Sequence, residues 1–358
     1  MTCQFRSTPT SPRTRGEEFG ETHRTQIAAT IASYDELFAA RAPAAAPVVS
    51  AVARDALATV REWAPALASE LHGIAAGAGQ PVERLAAINA RTEILAALGV
   101  ATRGECSTVV HLGGESDEPV AMQNWDWFAG MADNWLVWTI PHSDGRITTT
   151  VTEYGILGKV GINSAGVGVL FNILHHNCDG RRTGGVPVHL LARQVLDTAA
   201  DANAALLTIA SAQVTASTAM TVVTGSAAGK TALTAELWPG GPGFVLPSPD
   251  GLLLHTNHFL DAIAQPGDTE PRDAPDTLIR YEVLRRTLHS HRDKLTAPTV
   301  RDALSSHVGG TGAICCHPDP SQPMGQQYAT LATVELSFET RTVNATAGGP
   351  CGRVPENS

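Results

Sequence analysis

Basic charge, cysteine and long apolar runs are what this sequence has least of. Lys and Arg number 25 against 35 Asp and Glu, a formal net charge of −10. A chain so charged has no general attraction for phosphate backbones or anionic lipid, so neither nucleic acid nor a membrane surface is expected as a partner. The six cysteines (Cys3, Cys106, Cys178, Cys315, Cys316 and Cys351) are too sparse over 358 residues for a disulfide scaffold, and they lack the Cys-x-x-Cys pairing of a structural zinc site. They read as free thiols, and neither a metal nor a cofactor is expected. No stretch is apolar for long enough to span a bilayer, and MTCQFRSTPTSPRTRGEEF has scattered charge where a secretory signal has a hydrophobic segment. The expected location is therefore cytoplasmic. No internal repeat is visible.

What is present is apolar residue, 43% of the chain, enough for a large core in one big domain or two modest ones. Residues 1–16 are rich in Ser, Thr, Pro and Arg and are expected to be disordered, because they bury too little apolar surface to offset chain entropy. Residues 17–105 are Ala-rich with apolar positions at helical spacing, as in Leu57, Val60, Ala64, Leu67 and Leu71, and predict a helical leader. Pro43 and Pro47 are expected to separate its first two helices, and Gly77 to Pro81 to open the third.

From Cys106 onward the text turns β-rich. Ser107–His111, Val120–Met122, Trp135–Ile140 and Ile147–Thr152 read as short strands. Helical patterns follow at Val186–Ala199 and Asp201–Ser211, strands at Ala219–Thr224, Thr231–Trp238 and Leu252–His255, a helix near Thr277–His291, and a last strand pair at Leu331–Ser337 and Arg341–Asn344. Sheet, helices, sheet over residues 106–358 predicts an α+β sandwich, not a doubly wound parallel sheet.

Several motifs invite chemistry. Gly225-Ser-Ala-Ala-Gly-Lys230-Thr231 looks like a phosphate loop, but it has three residues between the glycines where four are needed and leads into a strand pattern, so it reads as a hairpin turn. His175, His176, Cys178 and Asp179 have metal-binding side chains, yet neighbours in one loop rarely converge on an ion and no second ligand group stands out. Vicinal Cys315 and Cys316 would point apart in a strand and read as buried structural thiols. In Asn124-Trp125-Asp126-Trp127-Phe128 the indoles suit a core, whereas a carboxylate between them needs solvent or a buried donor, for which a nearby α-ammonium group would serve. Cys106 by itself is a small apolar residue at the junction of the two halves.

The segment Glu153-Tyr-Gly-Ile-Leu-Gly-Lys-Val-Gly-Ile-Asn163-Ser-Ala-Gly-Val-Gly-Val-Leu-Phe-Asn172, with His255-Thr-Asn257-His258 and Gln123-Asn-Trp-Asp126, resembles the fungal acyl-coenzyme A:6-aminopenicillanic acid acyltransferase family, a cysteine branch of the N-terminal-nucleophile hydrolases. The resemblance extends from about Gly16 through Asn89-Ala-Arg91-Thr-Glu93-Ile to the C-terminal strands. It implies an αββα sandwich over residues 106–358 with the helical leader packed beside it. It also implies self-cleavage between Glu105 and Cys106, although the family's usual residue before the cut is glycine.

The new N-terminal residue would be both nucleophile and base, its own α-amine accepting the thiol proton. Asp126 matches the aspartate that positions this amine, Asn257 the donor to the oxyanion, and Asn172 an asparagine held near substrate. His255 and His258 frame Asn257. The family's Phe-Ser-Ile-Cys segment stands here as Gly312-Ala-Ile-Cys315, without its serine. The function implied is transfer of an acyl group from an amide or an acyl-thioester, acyl-coenzyme A included, through a Cys106 thioester to water or an amine. The cut leader is expected to stay as the partner chain. The alternative is an uncleaved, non-catalytic binding protein of the same fold.

Overall fold

The computed structural model describes residues 2–42, 45–100, 106–114, 117–226, 229–291 and 295–352. The chain opens with a three-residue strand, β1 (Gln4–Arg6), and six helices: α1 (Pro12–Thr22), α2 (Arg24–Arg41), α3 (Ala45–Trp63), α4 (Pro65–Ala78), α5 (Val82–Asn89) and α6 (Arg91–Ala97). Then come β2 (Ser107–His111), β3 (Val120–Phe128), β4 (Trp135–Pro141), β5 (Ile147–Glu153), β6 (Val160–Asn163) and β7 (Val167–Ile173). Helices α7 (Val188–Thr198) and α8 (Ala202–Ser211) precede β8 (Thr218–Ser226), β9 (Gly229–Trp238), β10 (Gly241–Val245) and β11 (Leu252–His255). Helices α9 (Glu270–Asp273), α10 (Asp276–Ser290) and α11 (Ala297–Leu304) lead to the closing pair β12 (Tyr328–Ser337) and β13 (Thr342–Ala347).

Among the described residues the strands form two sheets, in the orders β1-β4-β5-β6-β7-β8-β9-β10 and β11-β2-β3-β12-β13. The two sheets pack face to face, β7 on β2, β5 on β13 and β9 on β11; α7 and α8 cover the outer face of the first and α10 and α11 that of the second. This is an αββα sandwich with a helical leading part. The strands between the sheets read as near-continuous apolar runs because both of their faces are covered, which is why β7, Val167–Ile173, is buried throughout.

Residues 2–16 depart from the sequence expectation. Gln4–Arg6 add in parallel to β4, Phe5 opposite Trp138, and Phe5 packs edge-on against Phe19 and His23. Ser11 caps α1 by accepting from the Thr14 N–H at 3.2 Å, with Pro12 in the first turn. An open strand edge supplies the hydrogen bonds that composition cannot foresee. Pro47 sits inside the first turn of α3, and Pro65 opens α4. The Gly225 to Thr231 segment is the β8–β9 hairpin, Ser226 opposite Gly229. Strands β6, β7 and β10 and helices α9 and α11 were not assigned from the sequence.

The leader is built into the sandwich by buried polar contacts. Asn89 donates to Gly155 O at 2.8 Å and accepts from the Leu157 N–H at 3.0 Å. Glu70 on α4 accepts from Arg15 on α1 and from Arg193 on α7, all buried. Helices α1 and α4 approach so closely that a Cβ at Gly16 or Gly77 would collide with a carbonyl of the opposite helix.

Candidate active site

Cys106 stands immediately before β2, whose pairing with β3 places Ser107 opposite Asn124 and Thr108 opposite Gln123. That register brings the cysteine against the Trp125-Asp126 stretch. Both residues are buried, and the Cys106 thiol donates to the Asp126 main-chain carbonyl across 3.8 Å. Burial and then the Asp126 charge push the thiol up to about 11, while Lys159 and Arg280 oppose them. Glu105 lies outside the described residues.

The main chain of Cys106 is gripped from two sides. Arg280 of α10, fully buried, donates to Cys106 O at 3.1 Å and to Ser107 Oγ at 3.3 Å, and its other terminal nitrogen donates to Asn257 Oδ1 at 3.1 Å. Asn172, from β7 of the opposite sheet, donates to Cys106 O at 3.1 Å and to His255 O at 3.4 Å, its Oδ1 held by Thr108 Oγ1 at 2.7 Å. Both amide hydrogens of Asn172 are thus directed at protein carbonyls, one of them that of Cys106.

Asn257 is fixed in orientation as well. Guanidinium is a donor only, so Oδ1 must be the atom facing Arg280, and Nδ2 donates to Ile173 O at 2.8 Å. An amide nitrogen carries two hydrogens, and the second is the one suited to a developing oxyanion.

Neither histidine is arranged as a base for the thiol. His255 is held between Glu236 Oε1 at 2.7 Å and Thr256 O at 2.8 Å. His258 Nδ1 lies 3.1 Å from both Thr256 Oγ1 and Thr277 Oγ1, and burial, then the charges of His255 and Arg280, lower it to about 4. In the other histidine cluster, His176 Nδ1 accepts from the Cys178 N–H and Asp179 accepts from the His176 N–H, a turn that closes on itself.

Three residues of the site escaped the sequence reading as site residues: Lys159, Glu153 and Arg280. Lys159 lies 3.7 Å over the Trp125 ring and donates to Glu153 at 2.8 Å. Glu153 also takes Arg91 at 2.9 Å and the Tyr34 hydroxyl from the leader. Burial and then the nearby Arg91 charge bring the Lys159 amine down to about 7. The signal was in the sequence: a lone cation inside Gly-Ile-Leu-Gly-Lys-Val-Gly-Ile is affordable only beside a buried anion.

A sequence model described as acyl-coenzyme A:6-aminopenicillanic acid acyl-transferase matches residues 113–350. The chain belongs to that family. Asp126, Lys159, Asn172, Asn257 and Arg280 all fall inside the match, and Cys106 lies just ahead of it. A relative from Emericella nidulans, the acyl-coenzyme A:6-aminopenicillanic-acid-acyltransferase 40 kDa form, is 33% identical over 221 residues, 62% of this chain and 59% of that protein. This chain thus covers less than two thirds of that relative's length.

Two solved structures are similar at 14% identity and a TM-score of 0.45 each. One is a Caenorhabditis elegans N-acylethanolamine-hydrolyzing acid amidase ortholog, covering 65% of this chain and 93% of that one. The other is penicillin V acylase from Agrobacterium tumefaciens, at 68% and 83%. Among the described residues no helix is long and apolar enough to cross a membrane.

Proposed function

We propose that this member of the acyltransferase family is a self-processing N-terminal-nucleophile amide enzyme in which Cys106 carries the acyl group. The observation that supports this most is the convergence on Cys106 of groups from both sheets and from α10: its carbonyl bound by Asn172 and Arg280, with Asn257 on the same guanidinium. Any buried carbonyl needs a donor, but two side-chain donors fixed on separate elements also hold the residue in position once the peptide bond before it is broken.

In the uncut chain the Cys106 sulfur attacks the Glu105 carbonyl, the acyl bond moves from nitrogen to sulfur, and water hydrolyses the thioester. The products are a Glu105 carboxylate, a free thiol and a new α-amine. That amine has an ordinary pKa near 8 and takes the thiol proton, so the sulfur attacks the acyl carbonyl of the substrate as thiolate. Asp126, whose charge disfavours thiolate in the uncut chain, becomes the counter-ion of the new ammonium. Asn257 Nδ2 meets the oxyanion, and Asn172 holds Cys106 O in place.

Collapse of the tetrahedral intermediate expels the amine or thiol leaving group, which takes its proton from the α-ammonium. Water or an amine then accepts the acyl group. The substrate class is a small amide or acyl-thioester, a coenzyme A thioester included, and the cut leader stays bound as the second chain.

The test is the intact mass of wild type beside Cys106→Ala under denaturing conditions. Two fragments divided at Glu105-Cys106 in the wild type and one chain in the variant are expected, with amide hydrolysis and acyl transfer lost in the variant. A wild-type chain that stays whole removes the α-amine and the mechanism with it, and leaves the binding-protein alternative.

A further inference from the structure

Four metal-binding side chains meet beside the second sheet, one of them the cysteine of the Gly312-Ala-Ile-Cys315 segment. They are His307, in the segment after α11; Cys315 and His317, in the turn before β12; and Cys351, in the turn after β13. Their donor atoms all lie within 4.8 Å of one another. His307 Nε2 is 3.1 Å from His317 Nε2, Cys315 Sγ is 3.4 Å from Cys351 Sγ, and His317 Nε2 is 3.8 Å and 3.5 Å from the two sulfurs.

A tetrahedral zinc with bonds of about 2.3 Å to sulfur and about 2.0–2.1 Å to nitrogen puts its ligand atoms roughly 3.3–3.8 Å apart. These four edges fall within a few tenths of an ångström of that range, and the two between His307 and the sulfurs are bounded at 4.8 Å. The sulfur separation is also far beyond a disulfide bond of about 2.05 Å. Cys316, by contrast, turns its sulfur the other way, towards Tyr328 O and Thr311 O.

We propose that His307, Cys315, His317 and Cys351 form a structural zinc(II) site. Two thiolates and two neutral imidazoles make a closed, charge-balanced, borderline-soft set that leaves no open position for substrate. It ties three segments of the chain together. The sequence reading expected no metal because the ligand spacing, with Cys351 34 positions after His317, matches no short motif.

The location gives the site a task. Cys316 O accepts from the Thr330 N–H and the Cys316 N–H donates to Thr330 Oγ1, each at 3.0 Å, and Thr330 sits opposite Asp126 in the β12–β3 pairing. The backbone at Gly349 lies against the Cys315 sulfur so closely that a Cβ there would strike it. A bound zinc fastens the turn that backs Asp126 to the last strand pair.

Untagged full-length protein, kept in a thiol-free reductant, is loaded with zinc(II), desalted and measured by elemental mass spectrometry; a parallel sample is titrated with cobalt(II). About one zinc per chain is expected, with the visible bands and thiolate charge-transfer absorption of tetrahedral cobalt. His307→Ala and Cys351→Ser should each weaken cobalt binding by at least the ~10–100-fold that changes to groups behind a ligand cost. Cys178→Ser should leave it unchanged. His307 is exposed, so its loss tests the ligand set without disturbing the core. Wild-type protein that retains no zinc under reductant overturns the site, as does cobalt absorption without thiolate character. Recovery of Cys315 and Cys351 as a disulfide, with zinc not retained by the reduced protein, reassigns the pair as redox thiols.

Discussion

A lysine only 2% exposed must hold its proton against desolvation or give it up. Lys159 sits against Glu153 and the Trp125 face, and its charge is one of the two that favour thiolate at Cys106. Lys159→Met, which retains the volume, should slow alkylation of Cys106 by iodoacetamide below about pH 7, where the amine is charged, and leave the rate unchanged well above it, where the amine is already neutral. Each unit by which loss of that charge raises the thiol lowers the rate about tenfold at fixed pH. Lys159→Arg, which keeps the charge, should lie nearer the wild type. If both variants alkylate on the wild-type pH profile, Lys159 is a structural counter-ion of Glu153 and has no part in tuning the Cys106 thiol.

Helix α7 begins at Val188 without a side chain of its own to cap it, and Glu93 of α6 supplies the missing acceptor, taking the Val188 N–H at 2.8 Å. Burial outweighs that bond and the Arg91 charge, and raises the Glu93 carboxyl to about 7. Between the ordinary carboxyl value and about 7, the folded chain binds this proton and the unfolded chain does not. Stability through this group therefore falls as pH rises over that window. Glu93→Gln keeps the acceptor and removes the charge. It should be more stable than wild type at pH 8 by roughly 1–3 kcal/mol and about equal to it at pH 5, measured by urea unfolding at the two pH values. An unchanged difference between the two pH values would mean that Glu93 remains ionised when buried.

The leader is bound to the sandwich by β1 in the eight-stranded sheet, by Glu70 between Arg15 and Arg193, and by Glu153 with Tyr34 and Arg91. Parting the two pieces would leave these charges buried without partners or open them to water, a cost of several kcal/mol for each broken pair. After a cut before Cys106 the two pieces should therefore run as one particle in native mass spectrometry and size exclusion, and separate only in denaturant. Dissociation in native buffer would mean that the leader leaves on processing.

Read alone, the sequence determined the α+β order, the helical leading part, most of the strands and helices α7, α8 and α10, together with the motifs whose family resemblance names Cys106, Asp126, Asn172 and Asn257 as candidates. Those are local periodicities and contiguous motifs, which short windows of residues encode. Where the chain folds back on itself, only the tertiary structure decided. It placed Gln4–Arg6 on the edge of β4, Arg280 between Cys106 and Asn257, and Lys159 between Glu153 and the Trp125 ring. It also brought four donors from three distant segments within bonding range of one ion. The physical reason is common to all of them: a charge, an unpaired strand edge or a metal donor is satisfied by whatever lies next to it in space, and sequence separation carries no record of that neighbour.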